Sequence, residues 1–292
     1  MTQDLRIGVI GLGYAGTRHA RALQDGRIPG ARLHAVCDQD PGRAAAFPDS
    51  VHARLDDIFA EPALDAVVIA TPHRSHVELC ENALREGLSV LVEKPFGVHA
   101  AECRRALAAH SDAIRSAALH SATKRTETAP QEQVSARIQR SVMPLLLGVV
   151  HDYRVEPKFI WLKELIQRGE LGRVVRFTWQ ATNFFRTEAY FQTSPWRGRF
   201  LTEGGGILVN QAPHLLDAVA WLFGVPRRLF ASCGFGRYHQ IEVEDDVNAL
   251  LEYADGTRGN LQLSTGESPG TQRLDVSFDG GRVVVEGNEA VI

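Results

Sequence analysis

The sequence has few cysteines and no long apolar run, and each lack excludes a class of protein. Its four cysteines form no CxxC pair, so we expect reduced thiols in a cytoplasmic protein rather than disulfides or a zinc site. No apolar run approaches the roughly 18 residues that a membrane span needs, and the N-terminus lacks the basic segment of a signal peptide. Lys plus Arg (32) and Asp plus Glu (35) leave a net charge of only −3, which does not favour nucleic acid or an anionic membrane as a partner.

What the sequence does contain is apolar material for a core, since 44% of its 292 residues are hydrophobic. The first half alternates short apolar runs with helical patterns, which predicts a doubly wound parallel sheet covered by helices on both faces. The predicted strands are 5–10, 32–37, 65–70, 89–92 and 145–151, and the predicted helices are 15–23 and 76–85.

The second half follows a different pattern, beginning with an amphipathic helix over 157–168. From residue 174 onward, short strands are joined by tight turns such as Asp255-Gly256 and Gly280-Gly281, with one long helix predicted over 208–223. We therefore expect a Rossmann domain over 1–150 and an α+β domain with a mostly antiparallel open sheet over 151–292.

The stretch "GLGYAG" places Gly11, Gly13 and Gly16 after a strand and at the start of a helix. This context favours a dinucleotide site, in which the glycines allow a tight turn, close approach of a pyrophosphate and close helix–strand packing. Asp38 ends the second strand and would bind the ribose hydroxyls, so NAD is expected rather than NADP. The alternative is a glycine-rich turn with a surface aspartate. The candidate cofactor-binding residues of the loop are Gly11, Leu12, Gly13, Tyr14, Ala15 and Gly16.

A second polar stretch, "ATPHRSH", follows the strand at 65–70. It would place Thr71, Pro72 and His76 at the carboxyl edge of the sheet, where ligands bind in such folds; His73 is more naturally a helix cap. Arg43 could meet a 2′-phosphate, although an arginine on an exposed helix is the usual case.

The stretch "SVLVEKPFG" ends a buried strand in a charge pair, Glu93 and Lys94, followed by Pro95. Pro95 disfavours helical angles at Lys94. A lysine ammonium withdrawn from water beside a nicotinamide can exchange a proton with a substrate hydroxyl, and Glu93 could pair with it or bind the ribose. The alternative is a surface ion pair at a strand end.

Together, "GLGYAG", "CDQD", "ATPHRSH" and "VEKPFG" resemble the glucose–fructose oxidoreductase / inositol dehydrogenase family of dinucleotide-dependent enzymes. The resemblance continues through "ELIQRGELG", "SPWRGRFLTEGGGILVNQAPHLLD" and "VEDDVNALLEY" and covers nearly all of the chain except about 112–141. It implies that Lys94 is catalytic and that His214 is its partner. Many members have an aspartate where this chain has Asn210, so the resemblance does not point to inositol specifically.

The residues themselves support a substrate site in the second half. Asn210, His214 and Asp217 have the spacing of one helix face, and the glycines at 204–206 permit a tight turn before it. The resemblance implies that Trp196 and Arg197 also border the substrate pocket, although Trp196 could be ordinary aromatic packing. Tyr153 and Arg154 are further candidate substrate-binding residues, on the nicotinamide side.

The function predicted from the sequence is NAD-dependent hydride transfer to or from a secondary alcohol of a sugar, sugar nucleotide or cyclitol, without a metal. The resemblance further implies a homodimer or homotetramer. Two alternatives remain open: a sugar-sensing regulator that binds NAD without turnover, and a biliverdin- or dihydrodiol-reductase-like enzyme.

Two regions depart from the family pattern. Residues 112–141 are polar and are expected to form a surface excursion, mobile or weakly helical, that proteases cut first. The chain stops at Ile292, where relatives continue, so a short second domain is expected.

Overall fold

The computed structural model describes residues 4–123, 145–287 and 289–292. The chain divides into two compact units, Met1–Val150 and His151–Ile292, and each is described by itself. Within the described ranges, no helix has both the length and the apolar character needed to cross a membrane.

Unit 1 is built around a parallel sheet whose strands are β1 (Leu5–Ile10), β2 (Ala31–Cys37), β3 (Val51–His52), β4 (Ala66–Ile69), β5 (Ser89–Val92) and β6 (Leu147–Val149). Its helices are α1 (Tyr14–Gln24), α2 (Pro41–Ala44), α3 (Leu55–Ile58), α4 (His76–Arg85) and α5 (Ala100–Thr123). The strand order is β3-β2-β1-β4-β5-β6, the order of dinucleotide-binding folds. Successive residues of a strand enter different core clusters, Val68 one and Val67 and Ile69 the other. Both faces are therefore covered, which confirms the predicted fold class.

The strands of unit 1 end in register along one edge of the sheet. The paired last residues are Ile10 with Cys37, Ile10 with Ile69, and Ile69 with Val92. Gly11, Asp38, Ala70 and Glu93 follow these residues directly. Because all the pairings are parallel, these four residues lie side by side at the carboxyl edge.

Helix α5 extends beyond what the sequence pattern suggested. It runs from Ala100 to Thr123, so residues 112–123 of the predicted excursion are helical. The segment is rich in alanine, a strong helix former that leaves little apolar periodicity to read. The rest of the predicted excursion lies outside the described residues.

Unit 2 is an α+β structure with helices α6 (Pro157–Arg168), α7 (Glu188–Gln192) and α8 (Pro213–Phe223). Its strands are β7 (Val174–Ala181), β8 (Arg228–Phe235), β9 (Glu244–Glu252), β10 (Arg258–Ser264), β11 (Gln272–Phe278), β12 (Arg282–Glu286) and β13 (Glu289–Val291). They form a sheet of order β13-β12-β11-β7-β10-β9-β8, antiparallel except for the β7–β10 pair. Phe177 and Trp179 of β7 share one buried cluster with Leu162 of α6 and Leu215 of α8, so one face of the sheet packs on these helices.

The helix predicted over 208–223 begins later, at Pro213. Proline has no N–H and its ring clashes inside a helix, so it is favoured at the first helical position. The residues before it form turns, in which the N–H of Asn210 donates to the carbonyl of Gly206 at 2.9 Å. The prediction that Asn210 shares a helix face with His214 and Asp217 is therefore wrong, because Asn210 precedes the helix.

Candidate functional site

The three glycines of the loop in unit 1 have different surroundings, so each position suits glycine for a different physical reason. Gly11 has φ +87°, and a Cβ there would lie 2.7 Å from the carbonyl oxygen of Ala70. A Cβ on Gly16 would lie 1.7 Å from the carbonyl oxygen of Gly11, whereas a Cβ on Gly13 would meet nothing within 4 Å. The turn needs Gly11, and the packing of α1 needs Gly16. Gly13 leaves open space at the N-terminus of α1, where unpaired N–H groups attract phosphate.

Asp38 ties the end of β2 to the glycine loop. Its Oδ2 accepts the N–H of Leu12 at 2.5 Å, and its Oδ1 accepts the N–H of Asp40 at 2.8 Å. The guanidinium of Arg43 lies 3.8 Å from Oδ2. A carboxylate held beside the loop in this way can accept hydrogen bonds from the ribose hydroxyls of a dinucleotide at the sheet edge.

The loop after β4 is joined to the segment after β5 by a buried histidine. Nε2 of His76 lies 2.7 Å from the carbonyl oxygen of Thr71, and Nδ1 lies 2.7 Å from that of Pro95. The Thr71 hydroxyl bonds the Ser75 hydroxyl at 2.7 Å, and the carbonyl of Pro72 accepts from Ser75. Burial lowers the pKa of His76, and the two carbonyl contacts oppose this. His76 has no exposed surface, so it holds together the loop after β4 and the segment after β5. Thr71 and Pro72 are more exposed and lie nearer the carboxyl edge of the sheet.

The charge pair after β5 has a partner that the sequence did not reveal. Oε1 of Glu93 lies 2.8 Å from Nε2 of His19 on α1, and Oε2 accepts the N–H of Lys94 at 3.3 Å. Burial alone would raise the pKa of Glu93, but these hydrogen bonds and the neighbouring positive charges outweigh it, so the pKa is lowered overall. Glu93 is therefore an ionised link between α1 and β5, and Lys94 follows it half-buried at the sheet edge. A single histidine on an amphipathic helix offered no signal for this pairing.

In unit 2, His214 lies at the start of α8 beside Tyr153. Its Nδ1 accepts the N–H of Asp152 at 3.2 Å, and the centroids of the His214 and Tyr153 rings are 6.1 Å apart. The Tyr153 hydroxyl accepts from Gln272 at 3.0 Å, and burial raises the pKa of Tyr153 to about 12. Because Nδ1 is an acceptor, a neutral His214 ring carries its proton on Nε2.

Arg154 joins the same group through an ion pair. Its guanidinium makes two hydrogen bonds to the carboxylate of Asp217 on α8, at 2.6 and 2.9 Å. Asp217 also lies 3.8 Å from the ring of His151. Asp217 therefore anchors the segment before α6 to α8, and the structure brings Tyr153, Arg154 and His214 together.

Asn210 belongs to a separate group that contains a residue missed in the sequence, Glu203. The amide nitrogen of Asn210 donates to Oε1 of Glu203 and, at 3.4 Å, to the hydroxyl of Tyr190. The guanidinium of Arg197 lies 3.9 Å above the Tyr190 ring and donates to the Tyr190 carbonyl at 3.0 Å. It lies 5.2 Å from the ring of Trp196. The predicted residues Trp196, Arg197 and Asn210 are thus connected through Tyr190 and Glu203.

Comparison with protein families gives two matches. The profile of an oxidoreductase family with an NAD-binding Rossmann fold matches residues 5–116. The profile of the GFO/IDH/MocA C-terminal domain matches residues 159–284. One match lies within each unit.

Individual relatives agree with these matches. The uncharacterized oxidoreductase YdgJ of Escherichia coli (strain K12) is 30% identical over 232 residues, 77% of this chain and 56% of the relative. Inositol 2-dehydrogenase 1 of Saccharopolyspora erythraea is 29% identical over 229 residues, 75% of this chain and 54% of the relative. The chain thus spans just over half the length of these curated relatives. The WlbA dehydrogenase of Bordetella pertussis, solved with NADH and UDP-GlcNAcA, has a TM-score of 0.79 at 25% identity, covering 98% of this chain and 79% of that one.

Proposed function

Because the chain belongs to the GFO/IDH/MocA family of oxidoreductases with an NAD-binding Rossmann fold, we propose that it transfers a hydride between NAD and a secondary alcohol or ketone. The substrate class is a sugar, a sugar nucleotide or a cyclitol. The observation that carries the proposal is the common edge of the parallel sheet, where Gly11 follows β1 and Glu93-Lys94 follows β5. A dinucleotide on the glycine loop would extend along the edge that holds Lys94.

The residues of unit 1 fit a dinucleotide. The open space beside Gly13 and the start of α1 suit the pyrophosphate, and Asp38 suits the ribose. Bound NAD supplies the hydride acceptor at C4 of the nicotinamide. Lys94 takes the proton of the substrate hydroxyl when the alcohol is oxidised and returns it when the ketone is reduced, as a general base and acid.

The residues of unit 2 supply the substrate contacts. A neutral His214 presents an N–H at Nε2, which suits a hydrogen bond to a substrate oxygen. Asn210 orients the substrate through its side-chain amide. Tyr153, Arg154, Trp196 and Arg197 line the remainder of the substrate site in this proposal.

NAD is proposed as the cofactor in preference to NADP. The reason is Asp38, whose carboxylate would face a 2′-phosphate with like charge. Its hydrogen bond to the N–H of Leu12 holds that charge next to the loop. Arg43 would offset part of the repulsion, since it lies 3.8 Å from the carboxylate.

We also propose that the protein assembles as a homodimer or homotetramer through the face of the unit 2 sheet that α6 and α8 do not cover. Phe230, Leu250, Asn260 and Thr178 lie in one row across β8, β9, β10 and β7. Phe230 lies on the edge strand β8 and is 58% exposed, and a large apolar side chain exposed in this way suits a contact with another copy of the chain. Sedimentation velocity of the full chain and of Phe230→Glu tests this, because the charged variant should shift toward monomer.

The predicted cytoplasmic location stays a prediction.

The function is tested by a screen read at the nicotinamide absorbance. The purified chain is mixed with NAD or NADP and with a panel of sugars, inositols and UDP-GlcNAcA, and in reverse with NADH and the corresponding ketones. Turnover of at least one panel member is expected, faster with NAD. If the protein binds NADH but no panel member or aromatic alcohol is turned over, a non-catalytic regulator is the better description. Turnover of aromatic substrates alone would favour the dihydrodiol-reductase type.

A further inference from the structure

Glu203 is a fully buried carboxylate whose two oxygens each face a hydrogen-bond donor. Oε2 accepts the N–H of Gly198 at 2.5 Å, and Oε1 accepts from the side-chain amide of Asn210. The residue has 0% exposure. Burial raises its pKa, while the two donors and the charge of Arg197 oppose the rise, and Glu244 adds to it. Each of the two donors thus has its own acceptor oxygen. Only an ionised carboxylate offers two acceptor oxygens without a proton on either.

This match determines which way the Asn210 amide faces. The amide nitrogen must point to Glu203 and Tyr190, because a carboxylate only accepts hydrogen bonds. The carbonyl oxygen Oδ1 lies in the same plane on the opposite side of the Cβ–Cγ bond, and it therefore points away from Glu203. Glu203 also holds Gly198, the neighbour of Arg197, so it connects the two segments that carry the proposed substrate residues of this group.

The same contact accounts for the identity of residue 210. An aspartate there would place two carboxylates in contact inside a buried site, which disfavours ionisation of both. An amide supplies the donor that Glu203 needs. The asparagine at position 210 is thus coupled, in this chain, to Glu203.

We propose that Glu203 is a positioning residue that orients Asn210 with its carbonyl oxygen toward the substrate hydroxyl, and that residues 203 and 210 form one functional pair. The second part of the inference, the contact with substrate, rests on the function proposed above. The first part, the pairing itself, does not depend on turnover.

The test uses reciprocal substitutions in the full chain. Glu203→Gln keeps the side-chain volume but brings an amide N–H into contact with one of the two donors, the N–H of Gly198 or the amide of Asn210. Asn210→Asp brings a second carboxylate into contact with that of Glu203. Each single variant should lower the melting temperature by about 4 °C or more. In the double variant the new amide nitrogen at position 203 can donate to the carboxylate at position 210. Its melting temperature should therefore recover at least half of the summed loss. Glu267→Gln, at an exposed position, is the matched control and should not change it.

Two further measurements separate orientation from mere packing. In ¹⁵N NMR spectra the Asn210 side-chain amide should show protons protected from exchange, and Glu203→Gln should remove that protection. With whichever of UDP-GlcNAcA or myo-inositol the screen shows to be turned over, Glu203→Gln should raise KM about tenfold or more, with unchanged NADH affinity. The double variant should lower KM again.

A melting temperature of Glu203→Gln equal to that of the wild type would overturn the pairing, and so would losses that simply add in the double variant. If Glu203→Gln does not fold, Asn210→Asp and the double variant still decide, because only the pairing predicts that the second substitution rescues the first. If no substrate is turned over, the proposed function fails while the melting and NMR results still judge Glu203.

Discussion

Replacing Gly16 by alanine should destabilise unit 1, whereas the same change at Gly13 should leave the fold intact and weaken dinucleotide binding. A Cβ on Gly16 would lie 1.7 Å from the carbonyl oxygen of Gly11, where ordinary contact begins at 3.4 Å. The backbone must therefore open by 3.4 − 1.7 = 1.7 Å. Overpacking of this kind costs about 1–3 kcal/mol. We expect the upper end, because the contact is with backbone rather than a flexible side chain.

For a unit of this size, about 3 kcal/mol corresponds to a fall in melting temperature of roughly 6–12 °C. Gly13 has φ −69° and an open surrounding, so alanine there should change the melting temperature little. Its added methyl group would occupy space proposed for the pyrophosphate, and the dissociation constant for NADH should rise about tenfold or more. Differential scanning fluorimetry and fluorescence titration with NADH measure the two quantities on the same samples.

Each half of this reasoning can fail separately. If Gly16→Ala melts with the wild type, the close contact between α1 and the glycine loop does not govern packing. If Gly13→Ala binds NADH as tightly as the wild type, the open space beside Gly13 is not where a pyrophosphate lies.

Three further predictions concern charged groups at the sheet edge. Lys94→Ala should leave NADH binding near normal and lower single-turnover hydride transfer by about two to four orders of magnitude. Lys94→Arg should not restore it, and undiminished transfer would remove Lys94 from the mechanism. Asp38→Ala should bring the affinity for NADP closer to that for NAD. Adding Arg43→Ala should remove this gain in NADP affinity. Equal binding of both cofactors by the wild type would contradict the prediction. The pKa of Glu93 is lowered from its ordinary 4.5. Its ion pair with His19 therefore stabilises the folded state fully above pH 4.5, and this stabilisation is lost as the pH falls through the lowered pKa of Glu93. Melting temperatures between about pH 5 and pH 3 should therefore fall less steeply for Glu93→Gln, and an unchanged slope would argue against the ion pair.

Much of unit 1 could be read from local sequence. The strands β1 and β5 and the helix α4 have the predicted bounds, because buried parallel strands are short apolar runs between helical periods. The glycine loop has a spacing that backbone sterics impose, as Gly11 and Gly16 show. The extent of helix α5 over Ala100–Thr123 does not follow from the sequence pattern, since alanine favours the helix without marking a face.

The tertiary structure decided the contacts between distant segments. His19 and Glu93 are 74 residues apart, and nothing local to either predicts the other. The start of α8 was misplaced because the apolar spacing continues upstream of Pro213, although the missing N–H of that proline marks the first turn. Glu203 precedes three glycines and carries no signal in the local sequence, and only its burial beside Gly198 and Asn210 gives it a role. Sequence by itself therefore determined the parallel fold and the dinucleotide loop, which depend on short-range sterics and periodicity. Which polar groups face one another inside unit 2 depended on chain segments meeting across the fold, where a buried donor must find an acceptor.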